Sequence, residues 1–196
     1  MRPPEPLALA VIALGANVGE PERALPRAAA RLARLGEALA ASTLFASAAS
    51  GGPPGQPPYR NAVLVLRLAW PWRDPRRLLA ALLALEVAAG RVRRERWGPR
   101  VLDLDLISLG ATQLRSVDLE LPHPRALERP FVLAPLAQVW PAWRAPDGRR
   151  AEALLARLTP HDAIDTGRAL LPSAPGRLDV GAAGTPSGSP PPGASE

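Results

Sequence analysis

Cysteine and lysine are both absent from the 196 residues, and aromatic side chains make up only 4% of them. Without cysteine there can be no disulfide framework, thiolate metal ligand or cysteine nucleophile. Without lysine there can be no G-x-x-x-x-G-K-[ST] phosphate loop, and the turn from Gly15 to Gly19 is no G-x-G-x-x-G fingerprint either. Any polyphosphate must therefore be gripped by arginines and metal. No apolar run approaches the ~20 residues of a membrane span. The lead from Met1 to Pro6 carries proline and glutamate rather than a basic patch and a signal-peptide core, so the expected location is the cytoplasm. All 24 basic residues are arginine, against 18 acidic ones, giving a net charge of +6. That excess suits a small anionic partner and does not require a nucleic-acid polymer.

Hydropathy patterning divides the chain into a lead (1–6), one domain (7–171) and a tail. From Pro172 onward only Pro, Gly, Ala and Ser dominate, which predicts a disordered tail over 172–196. Leu7 to Leu14 reads as a buried strand. Pro21 opens a helix with apolar residues at helical spacing, expected to run to about Ala40 with Gly36 as an earlier stop. Ser42–Ser47 and Asn61–Leu68 read as strands around a Pro/Gly loop over 50–58, too long for mere connection. Asp74 and Pro75 open a second helix, closed by Gly90. Val101–Leu109 reads as a strand, Ser116–Leu121 as a short one, and Phe131–Val139 and Ala151–Leu158 as short helical pieces. The order βαββαβ predicts an α+β, ferredoxin-like sandwich with additional C-terminal short helices. Both main helices would share one sheet face and leave the other to a ligand.

The chemistry concentrates around Leu102-Asp103-Leu104-Asp105-Leu106. On a strand, Asp103 and Asp105 project to one face about 6.6–6.8 Å apart, while the leucines enter the core. Two carboxylates aimed together repel unless a cation joins them. Oxygen donors of this kind suit Mg²⁺, which completes its shell with water and phosphate oxygens. An exposed polar strand face is the bland alternative, disfavoured because Asp is depleted in strands. Five arginines, Arg91, Arg93, Arg94, Arg96 and Arg100, lie within the ten positions just upstream. Arginine's planar fork matches phosphate oxygens. Trp97 adds a plate on which a flat heterocycle could stack, and His123, Arg125 and Arg129 follow in and after a turn.

Four segments, ALGANVG, GQPPYRNAV, LEVAAGRVRRERWGPRVLDLDLISLG and LPHPRALERPFVLAPL, together resemble the 6-hydroxymethyl-7,8-dihydropterin pyrophosphokinase family of folate biosynthesis. They stand in the family's order over roughly residues 7–160. The resemblance implies the ferredoxin-like fold and transfer of pyrophosphate from ATP to the pterin hydroxymethyl group, with release of AMP. It also implies two Mg²⁺ ions on Asp103 and Asp105, and a catalytic set of Arg91, Arg100, Asp103 and Asp105. Glu86, Arg93, Arg96, His123 and Arg129 would contact ATP. Gly52, Tyr59, Asn61, Trp97 and Phe131 would form the pterin pocket, with Trp97 and Phe131 sandwiching the ring and Asn61 reading its amide edge. The expected partners are ATP and the pterin alone, met by a monomer, with no nucleic acid and no membrane.

Two positions depart from the family pattern. The loop that usually reads Thr-Pro-Pro-Leu-Gly is here Ala48-Ala49-Ser50-Gly51-Gly52, and a position often basic in relatives is Asp118. The altered loop suggests a competing reading, a catalytically weakened relative kept as a partner protein; the intact aspartates and arginines oppose it. A nucleic-acid module on the same fold would need sheet aromatics where this chain carries aspartates.

Overall fold

A computed structural model describes residues 8–91 and 98–178. Its elements are β1 (Leu9–Ala16), α1 (Pro21–Leu32), β2 (Gly36–Ala41), β3 (Thr43–Ser47), β4 (Tyr59–Leu68), α2 (Pro75–Ala88), β5 (Asp103–Leu109), β6 (Leu114–Arg115), β7 (Glu120–Leu121), α3 (Pro130–Val139), α4 (Ala151–Ala156) and β8 (Ile164–Ala169). β1 lies between β4 and β5, and β2 and β3 follow one another along the outer edge of β4, all antiparallel. This is the split βαβ arrangement expected for a ferredoxin-like fold.

Period-two alternation sorts the strand residues into two cores. Ala10, Ile12 and Leu14 of β1 and Leu64 and Leu66 of β4 meet Leu25 and Leu32 of α1 and Leu78 and Leu82 of α2. Leu9, Val11, Val63, Val65 and Ile107 face the other way, against Leu133, Leu136, Trp140 and Trp143. Burial on both faces explains why β1 reads as an unbroken apolar run. The second face is thus not free, as expected, but covered over much of its area by α3, α4 and the two tryptophans. Among the described residues, the end carrying Gly15, Asn61, Asp103 and Asp105 stays open.

The first helix stops at Leu32, not Ala40, and Gly36–Ala41 is strand. Alanine-rich sequence fits either state; the close approach of two backbones decides it. A Cβ on Gly36 would lie 2.2 Å from the Arg67 carbonyl oxygen. Ser42 bridges β2 and β3, donating its N–H to the Val63 carbonyl and accepting the Val63 N–H on Oγ, each at 3.0 Å. Ser116–Leu121 is not one strand: Ser116 Oγ bonds Asp118 Oδ1 and the Leu119 carbonyl, turning the chain between β6 and β7. β8, which lacks an apolar alternation, pairs with β3 at the sheet edge with every residue exposed. The first tail residues also pack, Leu178 being buried and its N–H donating to the Val139 carbonyl; residues 179–196 lie outside the described residues.

α2 begins as expected, with Asp74 Oδ1 accepting the N–H groups of Arg76 and Arg77 at 2.9 Å each. Asp74→Ala should cost about 1 kcal/mol. Thermal melts should show this as a drop of roughly 2–4 °C with no loss of activity.

Candidate active site

The site begins with two rows across the sheet. Gly15 stands between Asn61 of β4 and Asp103 of β5, and Ala13 between Val63 and Asp105. Having the smallest side chains in the central strand leaves a depression walled by its neighbours. A Cβ on Gly15 would sit 3.4 Å from Asn61 Oδ1, 3.8 Å from Tyr59 Cδ1 and 3.9 Å from Asp103 Cβ. The cavity above, about 140 Å³, is closed by His123, Arg125, Arg129 and Phe131 on one side and by Ser47–Ala48 and Ser50–Gly51 on another.

Asp103 and Asp105 share this face. Asp103 Oδ1 takes ion pairs from both Arg91, at 2.9 Å, and Arg100. Asp105 Oδ2 meets Arg129 at 3.4 Å. The other oxygen of each carboxylate has no partner among the described residues. Burial, and then the negative charge of Asp103, hold the Asp105 carboxyl above its ordinary range, although His123 and Arg129 pull the other way. The pair therefore carries an electrostatic cost that a divalent cation would relieve.

Glu86 braces the arrangement from behind. Its carboxylate, 2% exposed, accepts the Leu104 N–H at 2.7 Å and pairs with Arg91. Burial raises its pKa, partly offset by that N–H and by Arg91. Asn17, 3% exposed and next after the last residue of β1, locks Arg100 at the site end of that strand. Its Oδ1 accepts the Arg100 N–H at 2.7 Å, its N–H donates to the Arg100 carbonyl at 2.9 Å, and its Nδ2 donates to the Pro57 carbonyl at 3.1 Å. One buried amide thus joins the 50–58 loop to the arginine that holds Asp103.

The His123 imidazole lines the cavity with Nδ1 buried and without a partner among the described residues. Burial, helped by Arg129 and Arg125, lowers its pKa against the opposing pull of Asp105, favouring the neutral ring. The Arg129 guanidinium lies 5.6 Å from the centre of the Phe131 ring, a cation–π distance.

The model of the 7,8-dihydro-6-hydroxymethylpterin-pyrophosphokinase family matches residues 11–141, the span that builds this site. The chain belongs to that family. The 2-amino-4-hydroxy-6-hydroxymethyldihydropteridine pyrophosphokinase of Synechocystis sp. is 45% identical over 139 residues, 70% of this chain and 69% of that one. The Pseudomonas aeruginosa protein of the same name is 43% identical over 149 residues, 74% of this chain and 88% of the other. In fold, the chain is similar to Plasmodium falciparum HPPK-DHPS A437G crystallised with pteroate, at TM-score 0.54 and 12% identity. That likeness covers 79% of this chain and 44% of the larger one. As a pyrophosphokinase, the protein is an ATP-dependent diphosphotransferase.

The structure of this pyrophosphokinase gathers Tyr59, Asn61, Arg100, Asp103, Asp105, His123, Arg129 and Phe131 around one cavity. Three of the expected site residues lie outside the lining of this cavity. Glu86 is committed to Leu104 and Arg91 beneath β5. Arg91 stands behind Asp103, outside the cavity lining. Gly52 is exposed beyond the rim, where Ser50 and Gly51 line the wall instead. Asp118 is exposed on the β6–β7 turn, bonded to Ser116. Arg93, Arg94, Arg96 and Trp97 lie outside the described residues. Gly15, Asn17, Ser47 and Arg125 complete the site without having been singled out as site residues. The one available signal was Asn17, a polar residue closing an apolar strand.

Removing the Asn17 amide should misplace Arg100 and leave its N–H without an acceptor. Asn17→Ala is expected to lower kcat/KM by about 10²-fold and stability by about 1–3 kcal/mol. Asn17→Asp, which keeps the acceptor, should recover part of both in steady-state assays and melts.

Proposed function

We propose that this cavity transfers the pyrophosphoryl group of ATP to the hydroxymethyl oxygen of 6-hydroxymethyl-7,8-dihydropterin, with release of AMP, as a step of folate biosynthesis. The observation that carries the reading is the meeting of two chemistries in one cavity. Paired carboxylates and arginines line it together with an amide, a phenol and a phenyl ring. A charged polyphosphate and a flat polar heterocycle need these two environments side by side.

Asp103 and Asp105 would hold two Mg²⁺ ions through the oxygens left open. The donor set fits: hard oxygen ligands on one strand face, relieved of mutual repulsion by a cation. Among the described residues no group of three or more His, Cys, Asp or Glu converges, so water and phosphate oxygens must complete each shell, as Mg²⁺ prefers. When bound, the ions supply charge neutralisation for the phosphate chain.

The chain's own groups do the rest. The hydroxymethyl oxygen attacks the β-phosphorus and gives up its proton to solvent, the bond from that phosphorus to the α–β bridging oxygen breaks, and AMP departs with that oxygen. Arg100 and Arg129 meet the charge that develops, and the ion pairs with Asp103 and Asp105 hold their guanidiniums in place beforehand. Such preorganisation is where phosphoryl transfer gains most of its rate. The neutral His123 offers an imidazole nitrogen to a phosphate oxygen or its proton. Phe131 and Tyr59 exclude water around the ring, and Asn61 fixes its orientation.

The test is AMP formation by purified protein supplied with ATP, Mg²⁺ and the reduced pterin, omitting each in turn. AMP that appears only when all three are present supports the reading. AMP without pterin, or none with the full set, overturns it.

A further inference from the structure

Every residue of β8 from Ile164 to Ala169 is exposed, so burial of its own side chains does not explain its place at the sheet edge. Polar contacts do. Thr166 Oγ1 donates to the Leu44 carbonyl at 2.7 Å, and Asp165 accepts from Thr43 Oγ1 at 2.5 Å and from Gln138 Nε2 at 3.0 Å. Just before the strand, Ala163 is buried against Phe45 and Ala134. Ile164 pairs with Ala46, and beyond the end of β3 the pairing continues through a side chain: Asp162 Oδ2 accepts the Ala48 N–H at 2.5 Å. Ala48 lines the cavity together with Ser50 and Gly51. Gly51 and Gly52 both hold positive φ, 80° and 82°, so this run has little stiffness of its own. The wall is tied at Ala48 by Asp162 and at the Gly51 carbonyl by Gln56 Nε2, at 3.1 Å.

We infer that Asp162 is a positioning residue for the reaction, holding the Ala48–Gly51 wall in place through the Ala48 N–H. The chain beyond residue 141, where the family match ends, thereby completes the substrate cavity. The inference rests on the pterin reading above and goes beyond it, to a residue that acts only through another. Asp162 is exposed, so its hydrogen bond contributes little to overall stability. At the root of a glycine-rich wall, the same bond decides how much of the time that wall stands where a ring can meet it. A wall set in advance spares binding the cost of ordering it. A site that is ready for only part of the time binds with its affinity reduced by that fraction. The phosphate chain is met by other groups, the carboxylates and guanidiniums of Asp103, Asp105, Arg100 and Arg129, so ATP should be indifferent to Asp162.

The experiment measures KM for the reduced pterin, KM for ATP, kcat and the melting temperature in the full chain. Wild type is compared with Asp162→Ala and with Asp162→Asn, which keeps an acceptor oxygen for the Ala48 N–H. Asp162→Ala should raise the pterin KM about tenfold and leave the ATP KM, kcat and melting temperature close to wild type. Asp162→Asn should recover most of that loss. An unchanged pterin KM in Asp162→Ala overturns the inference and leaves the pterin reading standing. So does a parallel loss in both KM values and kcat with a lower melting temperature, the mark of a merely structural role. Absence of AMP from wild type with ATP, Mg²⁺ and the pterin all present overturns the pterin reading itself.

Discussion

Asp105→Asn should lower AMP formation by at least about 10³-fold, since one substitution removes a carboxylate from the cation pair and loosens Arg129. The same variant should show the opposite sign in stability. In the metal-free protein the Asp105 carboxyl lies above its ordinary range, first because of burial and then because Asp103 repels it. A carboxyl raised on folding contributes stability that is fully present below its unfolded pKa and lost as pH rises through its folded value. The amide has no such contribution to lose. Metal-free Asp105→Asn should therefore gain in melting temperature relative to wild type as pH rises from the acid range. Mg²⁺ with ATP should raise the wild-type melting temperature and leave the variant's nearly unchanged. A metal-free variant that gains nothing on wild type as pH rises would contradict this electrostatic account.

Gly15→Val should be nearly as damaging, for a different reason. The position is extended strand, where a β-branched residue is well tolerated, so the protein should fold. The added methyls would occupy the cavity floor between Asn61 Oδ1, Tyr59 and Asp103, where even a single Cβ already makes contacts of 3.4–3.9 Å. The reacting groups would be held apart, and kcat/KM for the pterin should fall by about 10²-fold or more. Gly15→Ala should fall between wild type and Val. Normal kinetics in Gly15→Val would show that the ring does not occupy this cavity.

The two aspartates were legible because a strand projects every second residue to one face, a rule that needs no partner. Asp74 was legible for a similar reason, as its cap is closed within three residues. Gly15, Asn17 and Ser47 act only across the sheet or between distant loops, Asn17 meeting Arg100 83 positions away and Ser47 meeting Asn61 14 away. Local pattern marks Asn17 only as a polar residue closing an apolar strand and says nothing of its partner, and Gly15 reads simply as part of a turn. Glu86, an expected nucleotide contact, is found buried against Leu104 and Arg91, and that burial depends on how α2 seats against β5. The helix boundary at Leu32 and the edge strand β8 escaped for a common reason. An alanine run and a polar hexapeptide take the state their neighbours impose, and here those neighbours are β4 and β3. The resemblance located the segments; only the packing separated the residues that face the cavity from those that brace it.

The central claim is that paired carboxylates on β5 hold divalent ions against the phosphate chain of a nucleotide. Mn²⁺, a paramagnetic substitute for Mg²⁺, can be counted by electron paramagnetic resonance in the presence of a non-hydrolysable ATP analogue. Two ions bound per wild-type chain, with loss of at least one in both Asp103→Asn and Asp105→Asn, is the predicted result. Equal Mn²⁺ binding by wild type and both variants would contradict it.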